Sequence, residues 1–139
     1  MINKVICIDD DTVTLMLYKL ILPKAAFCKE IFFAENGEEA LDFYKTFLGE
    51  GGESVPELIL LDINMPVMNG WEFLAEFEQK YYPLFPETKV MILTSSVNPE
   101  DQFTADKHPM IMEFINKPIN VAKLNELKKR PFLSKYFQQ

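Results

Sequence analysis

Residues 4–11 read KVICIDDD, an apolar run that passes directly into three aspartates. A short run rich in β-branched side chains and stopped by turn-forming residues is typical of a buried β-strand. Four further runs have this character: residues 30–34 (EIFFA), 58–61 (LILL), 89–93 (KVMIL) and 110–115 (MIMEFI). The sequence therefore predicts five strands.

Amphipathic stretches follow the predicted strands. Residues 38–47 carry apolar side chains three or four positions apart, which is the spacing of one helical face. The other predicted helices cover residues 12–22 (ended by Pro23), a segment opened by Asn69 or Gly70, residues 99–107 and residues 121–130. Strands that alternate with helices predict an α/β protein with a doubly wound, five-stranded parallel sheet and helices on both faces. In such sheets ligands bind beyond the carboxyl ends of the strands.

The composition excludes several classes of protein. A chain of 139 residues with 48% apolar and 25% charged residues fits one globular domain rather than a disordered chain or a disulfide scaffold. The net charge is -7 and Arg130 is the one arginine, so direct binding to nucleic acid is not expected. Cys7 and Cys28 lack metal-ligand spacing and predict free thiols in a reducing compartment. Neither a signal peptide nor a membrane-spanning apolar stretch is visible, so we expect a cytoplasmic protein without membrane insertion.

Side chains that could take part in metal binding or phosphoryl chemistry follow the first, third, fourth and fifth strands. Asp9 and Asp10 follow the first strand, Asp62 the third, Thr94 the fourth and Lys117 the fifth. Three carboxylates at one edge of a sheet repel one another and call for a cation, and Mg²⁺ suits such a site because it needs few carboxylates and keeps several waters. With the cation bound, one carboxylate oxygen can act as a nucleophile toward a phosphoryl group, whose oxygens Lys117 and Thr94 would stabilise.

The order of these residues resembles that of the receiver domains of two-component response regulators, over the whole chain. The resemblance rests on the acidic pair after the first strand and on the motifs LILLDINMPVMNG (58–70), MILTSS (91–96) and FINKPI (114–119). It implies the flavodoxin-like strand order 2-1-3-4-5. It also implies a receiver domain over residues 1–130, and residues 131–139 remain as a short amphipathic C-terminal tail.

The resemblance also implies the chemistry of the site. Asp62 would be the phosphoacceptor, with Lys117 beside it. Mg²⁺ would be bound by Asp10, Asp62 and the backbone carbonyl of Asn64, while Asp9 would act through a bound water. The protein would be no enzyme in the usual sense, although it would take part in its own phosphorylation and autodephosphorylation.

Further positions are implied to transmit the signal. Thr94 and Phe114 would form the switch, Asn64 and Ser96 would tune the attack of water on the acyl phosphate, and the Lys117–Pro118 bond would be cis. The phosphoryl donor would be a sensor histidine kinase or a histidine phosphotransfer protein. A downstream protein, which the sequence does not identify, would read the result, and a homodimer through the fourth helix, fifth strand and fifth helix is also compatible with the resemblance.

Two other functions fit part of the sequence. The stretch DDDTV also resembles the first motif of haloacid-dehalogenase-like phosphatases, with Asp9 as nucleophile and Asp11 as acid/base. Those enzymes need an acidic pair after the lysine, whereas no aspartate follows Asp106, and Asp62 would have no task. A pseudo-receiver, a binding module without phosphorylation, should have lost an acidic residue, the threonine or the lysine, and this chain retains them all.

The tail offers two alternatives of its own. Pro131 should interrupt the last helix, because it lacks a backbone N–H and its ring clashes with the preceding turn. Beyond it, four apolar side chains recur at helical spacing: Phe132, Leu133, Tyr136 and Phe137. They either cover the domain's own surface or extend the face of the fourth helix, fifth strand and fifth helix toward a partner.

Overall fold

The sheet has five parallel strands in the order β2-β1-β3-β4-β5. The structure is a computed structural model, and it describes residues 1–48, 55–65, 67–95 and 98–138. Its strands are β1 (Ile2–Ile8), β2 (Cys28–Ala34), β3 (Leu58–Leu61), β4 (Lys89–Thr94) and β5 (Ile111–Asn116). Both the predicted α/β class and the strand order are therefore confirmed.

Six helices accompany the sheet in the described residues. They are α1 (Thr12–Lys24), α2 (Gly37–Phe47), α3 (Gly70–Lys80), α4 (Pro99–Ala105), α5 (Val121–Leu127) and α6 (Pro131–Ser134). Side chains alternate along β1, so that Val5 and Cys7 face one core cluster while Ile6 and Ile8 face another. Helices α1, α5 and α6 contribute to the first cluster, and α2, α3 and α4 to the second, which places helices on both faces. No helix among the described residues combines the length and apolar character that a membrane span requires.

Polar caps start five helices, most of them directly beyond the carboxyl end of a strand. Each cap accepts a hydrogen bond from a backbone N–H of the first turn that has no partner within the helix. The caps are Asp11, Asn36, Asn69, Asn98 and Asn120. Asn69 forms a full capping box with Glu72, which fixes the start of α3 behind the loop that carries Asp62.

Several helix ends differ from the sequence prediction. Helix α1 runs one residue beyond Pro23, because a proline in the last turn forfeits only its own N–H bond and the N–H of Ala25 still reaches the carbonyl of Ile21 at 2.9 Å. Helix α4 ends at Ala105 rather than residue 107, and α5 at Leu127 rather than residue 130. In both cases the first N–H group after the helix still bonds four residues back and the next two bond three residues back, so the chain tightens into turns.

The tail packs on the domain's own core, as the first of its two alternatives expected. Pro131 begins α6, and Leu133 is only 2% exposed within the cluster that includes Leu124 and Leu127. The ring of Phe137 lies 5.6 Å from that of Phe27, between centroids. The apolar side chains of the tail are therefore largely withdrawn from water by the domain itself.

Candidate functional site

Three carboxylates meet at the carboxyl edge of the sheet. Asp9 and Asp10 follow β1, and Asp62 follows its neighbour β3. One oxygen of each lies within 4.8 Å of the others. Asp9 and Asp62 are buried, whereas Asp10 is exposed. The predicted acidic cluster is thus assembled, with Asp10 on its solvent side.

Lys117 bonds to both buried carboxylates. Its Nζ lies 2.5 Å from Oδ2 of Asp9 and 3.3 Å from Oδ2 of Asp62. Burial alone would lower the pKa of this ammonium, but the hydrogen bond to Asp9 and the charges of Asp9 and Asp62 outweigh burial and raise the pKa. Lys117 is therefore a permanent cation at neutral pH. The peptide bond to Pro118 is cis, the isomer that the resemblance implies.

Backbone N–H groups hold the other oxygens of the buried pair. The N–H of Asp11 donates to Oδ1 of Asp9 at 2.9 Å, and the N–H of Asn64 donates to Oδ1 of Asp62 at 3.0 Å. Burial nevertheless raises the pKa of Asp9, because desolvation outweighs the bonds from Lys117 and Asp11, and the charge of Asp62 adds to it. The ionised form of Asp9 is thus under-stabilised where it lies, and a further positive charge would relieve it.

The donor set fits a hard divalent cation. Three carboxylates face one ammonium, which leaves an excess of formal negative charge in a largely buried place. The available ligands are oxygens, and the exposed side of the cluster at Asp10 leaves room for the waters that Mg²⁺ retains. The residues present therefore fit a cation such as Mg²⁺.

Thr94 and Asn64 contact each other across the site. Thr94 ends β4 and is fully buried, and its Oγ1 accepts a hydrogen bond from Nδ2 of Asn64 at 3.0 Å. The N–H of Lys117 donates to the carbonyl of Thr94 at 2.8 Å and ties the ends of β4 and β5 together. The threonine is thus linked both to the sheet and to the loop that carries Asp62. The sequence motifs give no sign of this side-chain bond.

The other predicted signalling residues lie in two different situations. Phe114 pairs in register with Ile92 of β4, and its half-buried ring packs against the cluster that contains Ile92. Ser96 lies outside the described residues, as does the glycine-rich connector over residues 49–54.

Gly70 packs directly against the loop that carries Asp62. A Cβ at this position would lie 2.6 Å from Cα of Ile63 and 2.9 Å from the carbonyl oxygen of Asp62. The N–H of Gly70 also donates to the carbonyl of Ile63 at 3.1 Å. Only glycine allows α3 to start this close to Asp62. Sequence periodicity marked Gly70 as a helix start but could not reveal the close approach.

Val67 adopts a strained backbone conformation on the same loop. Its φ is 68°, in the left-handed region that a β-branched residue rarely occupies, and its side chain is 78% exposed. Packing therefore does not explain the choice of valine, and the sequence carries no sign of the strain.

A family model described as the response regulator receiver domain matches residues 5–129. Among curated proteins, the chain is 35% identical over 79 residues to the chemotaxis protein CheY of Bacillus subtilis, a match that covers 57% of this chain and 59% of that protein. It is 33% identical over 97 residues to the sensor histidine kinase CheAY of Helicobacter pylori, covering 70% of this chain and 11% of the kinase.

A solved structure extends the similarity to the fold. The crystal structure of a two-component response regulator from Cytophaga hutchinsonii superposes with a TM-score of 0.84 and 29% identity, covering 99% of this chain and 98% of that one. The fold of this chain therefore matches that of a two-component response regulator over nearly its full length.

Proposed function

The chain belongs to the response regulator receiver domain family, and on that premise we propose that Asp62 accepts a phosphoryl group in a Mg²⁺-dependent reaction. Domains of this family are generally signalling switches rather than catalysts. The observation that carries the proposal is the convergence at Asp62. Its carboxylate is buried, lies 3.3 Å from the Lys117 ammonium, and shares one small site with Asp9 and Asp10.

The phosphoryl transfer is a single displacement at phosphorus. An oxygen of Asp62 attacks the phosphoryl group of a phosphohistidine, the P–N bond breaks, and the imidazole nitrogen retains the electron pair of that bond. Lys117 lies on the same side as Oδ2 of Asp62 and would stabilise the charge on the transferred group. The hydroxyl of Thr94 would donate to one of its oxygens.

The metal site follows from the same residues. Asp10, Asp62 and the backbone carbonyl of Asn64 would bind Mg²⁺, with Asp9 acting through a bound water. When bound, Mg²⁺ supplies the positive charge that lets the carboxylates and the phosphoryl oxygens approach one another. The raised pKa of Asp9, which burial causes, supports a need for that charge.

The signal would pass through Thr94 and Phe114 to the surface. In the resting protein Oγ1 of Thr94 accepts the Asn64 amide. A phosphoryl group on Asp62 offers Thr94 a new acceptor, so the end of β4 would move toward Asp62 and the half-buried Phe114 would turn inward. A downstream protein would recognise the changed surface. Asn64 and Ser96 would tune how fast water removes the phosphoryl group.

The phosphoryl donor would be a histidine kinase or a histidine phosphotransfer protein. The support is the similarity to a region of a protein named as a sensor histidine kinase and to a protein named as a chemotaxis protein. A homodimer through α4, β5 and α5 is part of the same proposal.

Acetyl phosphate with Mg²⁺ tests the proposal without a kinase. The intact mass of the parent should increase by one phosphoryl group, and Asp62→Asn should stay unlabelled. Asp42→Asn is the matched control, because Asp42 is an exposed aspartate on α2, away from the cluster, and this variant should label like the parent. Full labelling of Asp62→Asn would refute the assignment of the acceptor.

The same reaction separates the two alternative functions. A pseudo-receiver would show no label on the parent at any Mg²⁺ concentration. A phosphatase that used Asp9 as its nucleophile would carry its transient label at Asp9 and would keep it in Asp62→Asn.

A further inference from the structure

Helix α4 is attached to the domain by few apolar side chains. Among its seven residues, all of them described, Ala105 alone is buried, and Phe103 is 64% exposed. A helix of this length gains little stability from its own hydrogen bonds. Its position must therefore depend on contacts with neighbouring elements.

Two polar contacts from α3 hold the two ends of α4. At the first turn, Nε1 of Trp71 donates to Oδ1 of Asp101 at 3.2 Å. Just beyond the last turn, Nδ1 of His108 lies 2.7 Å from Oε2 of Glu78. A carboxylate can only accept, so Nδ1 carries the proton in this bond.

The two contacts are joined to each other. The rings of Trp71 and His108 stack, with 6.1 Å between their centroids and 18° between their planes. Trp71, Glu78, Asp101 and His108 thus form one connected set, which we call the α3–α4 clasp.

A cleft of about 350 Å³ lies between α4 and β5, and His108 of the clasp is among the residues that line it. Gln102 and Ala105 line it from α4, and Phe114 lines it from β5. Helix α4 is therefore held by the clasp and also borders open space next to Phe114, which is part of the proposed switch.

We propose that the α3–α4 clasp restrains α4 in its resting position and so opposes the change that phosphorylation favours. The inference rests on the proposed function, since it concerns how Asp62 and α4 are coupled. A weaker restraint makes the switched state less costly to reach. By linkage, a phosphoryl analogue that prefers the switched state must then bind more tightly.

Two glutamates on α3 allow a matched test. Glu78→Ala removes the partner of His108, whereas Glu76→Ala removes a glutamate that pairs with Lys80 on its own helix. The two side chains are similarly exposed, at 37% and 43%. One measurement is hydrogen–deuterium exchange of the α4 amides in the resting protein. The other is titration with beryllofluoride and Mg²⁺, read by the fluorescence of Trp71, the single tryptophan.

Glu78→Ala should speed exchange in α4 and tighten beryllofluoride binding about two- to tenfold, the factor expected for one net hydrogen bond. Glu76→Ala should behave like the parent in both measurements. Unchanged α4 exchange in both Glu78→Ala and His108→Ala would overturn the restraint itself. Faster exchange of the α4 amides together with unchanged or weaker beryllofluoride binding would overturn the link between the clasp and the switch. A parent protein that binds no beryllofluoride would instead refute the proposed function. In that case hydrogen–deuterium exchange of the α4 amides would still test whether the clasp restrains α4.

Discussion

Replacing Gly70 with alanine should disturb both stability and phosphorylation. The new Cβ would lie 2.6 Å from Cα of Ile63 and 2.9 Å from the carbonyl oxygen of Asp62, while ordinary contacts begin near 3.4 Å. The start of α3 and the loop that carries Asp62 must therefore separate by roughly 0.8 Å. Forced backbone shifts of this kind cost about 1–3 kcal/mol, and alanine returns less than about 1 kcal/mol through its helix propensity.

We therefore expect Gly70→Ala to lower the free energy of unfolding by about 2 kcal/mol, or the melting temperature by roughly 5 °C. Labelling by acetyl phosphate should slow at least about tenfold, because Asp62 moves with its backbone. Thermal unfolding and labelling rates measure the two effects. Gly37→Ala is the control: its Cβ would meet the flexible end of Met68 at 2.9 Å, which can move aside, and Phe73 Cβ at 3.0 Å. A Gly70→Ala variant that is as stable and as readily labelled as the parent would contradict the close packing of α3 on the loop that carries Asp62.

Three further changes should have measurable effects. Val67→Asn should raise the free energy of unfolding by about 1 kcal/mol in chemical denaturation, because asparagine tolerates a φ of 68° far better than valine. Val13→Asn, at a similarly exposed helical position, should change the free energy of unfolding little, and equal effects of the two substitutions would contradict backbone strain at Val67. Tyr44→Phe should raise the free energy of unfolding by about 1 kcal/mol in the same assay, since the buried Tyr44 hydroxyl has no hydrogen-bond partner among the described residues. A clear loss of stability would show that a partner exists. Burial raises the pKa of the Cys28 thiol to about 11. Alkylation of Cys28 at pH 8 should therefore be roughly a hundredfold slower than that of a thiol with pKa 9. The alkylation rate should also rise about tenfold per pH unit up to about pH 10. A rate that levels off near pH 9 would contradict this.

The fold could be predicted because its signals are local and mutually consistent. Apolar runs such as residues 58–61 are too short for a typical helix and therefore favour buried strands, and the helix start predicted at Asn69 or Gly70 matches the start of α3. Strands that alternate with helices then require a parallel sheet. Helix ends were less predictable, since the tightened turns after α4 and α5 depend on i to i−3 bonds that no residue type announces.

The sequence predicts the cluster of charged residues at the site, but it does not predict the hydrogen bonds between side chains around that cluster. Carboxylates at the ends of neighbouring parallel strands must lie close together, so Asp9 and Asp62 follow from topology alone. The hydrogen bonds between Asn64 and Thr94 and between His108 and Glu78 each join residues 30 positions apart. Such pairs depend on how loops and helices pack, and a single sequence contains no periodic signal for them.

The most direct test of the central claim is to map the phosphoryl group after reaction with acetyl phosphate. Peptide mass spectrometry should place the group on Asp62, in samples that contain Mg²⁺ and not in samples where the metal has been chelated. The buried carboxylate, the Lys117 ammonium and the excess negative charge of the cluster are the observations from which we expect this result. A phosphoryl group on any other residue, or equal labelling of Asp62 without Mg²⁺, would contradict it.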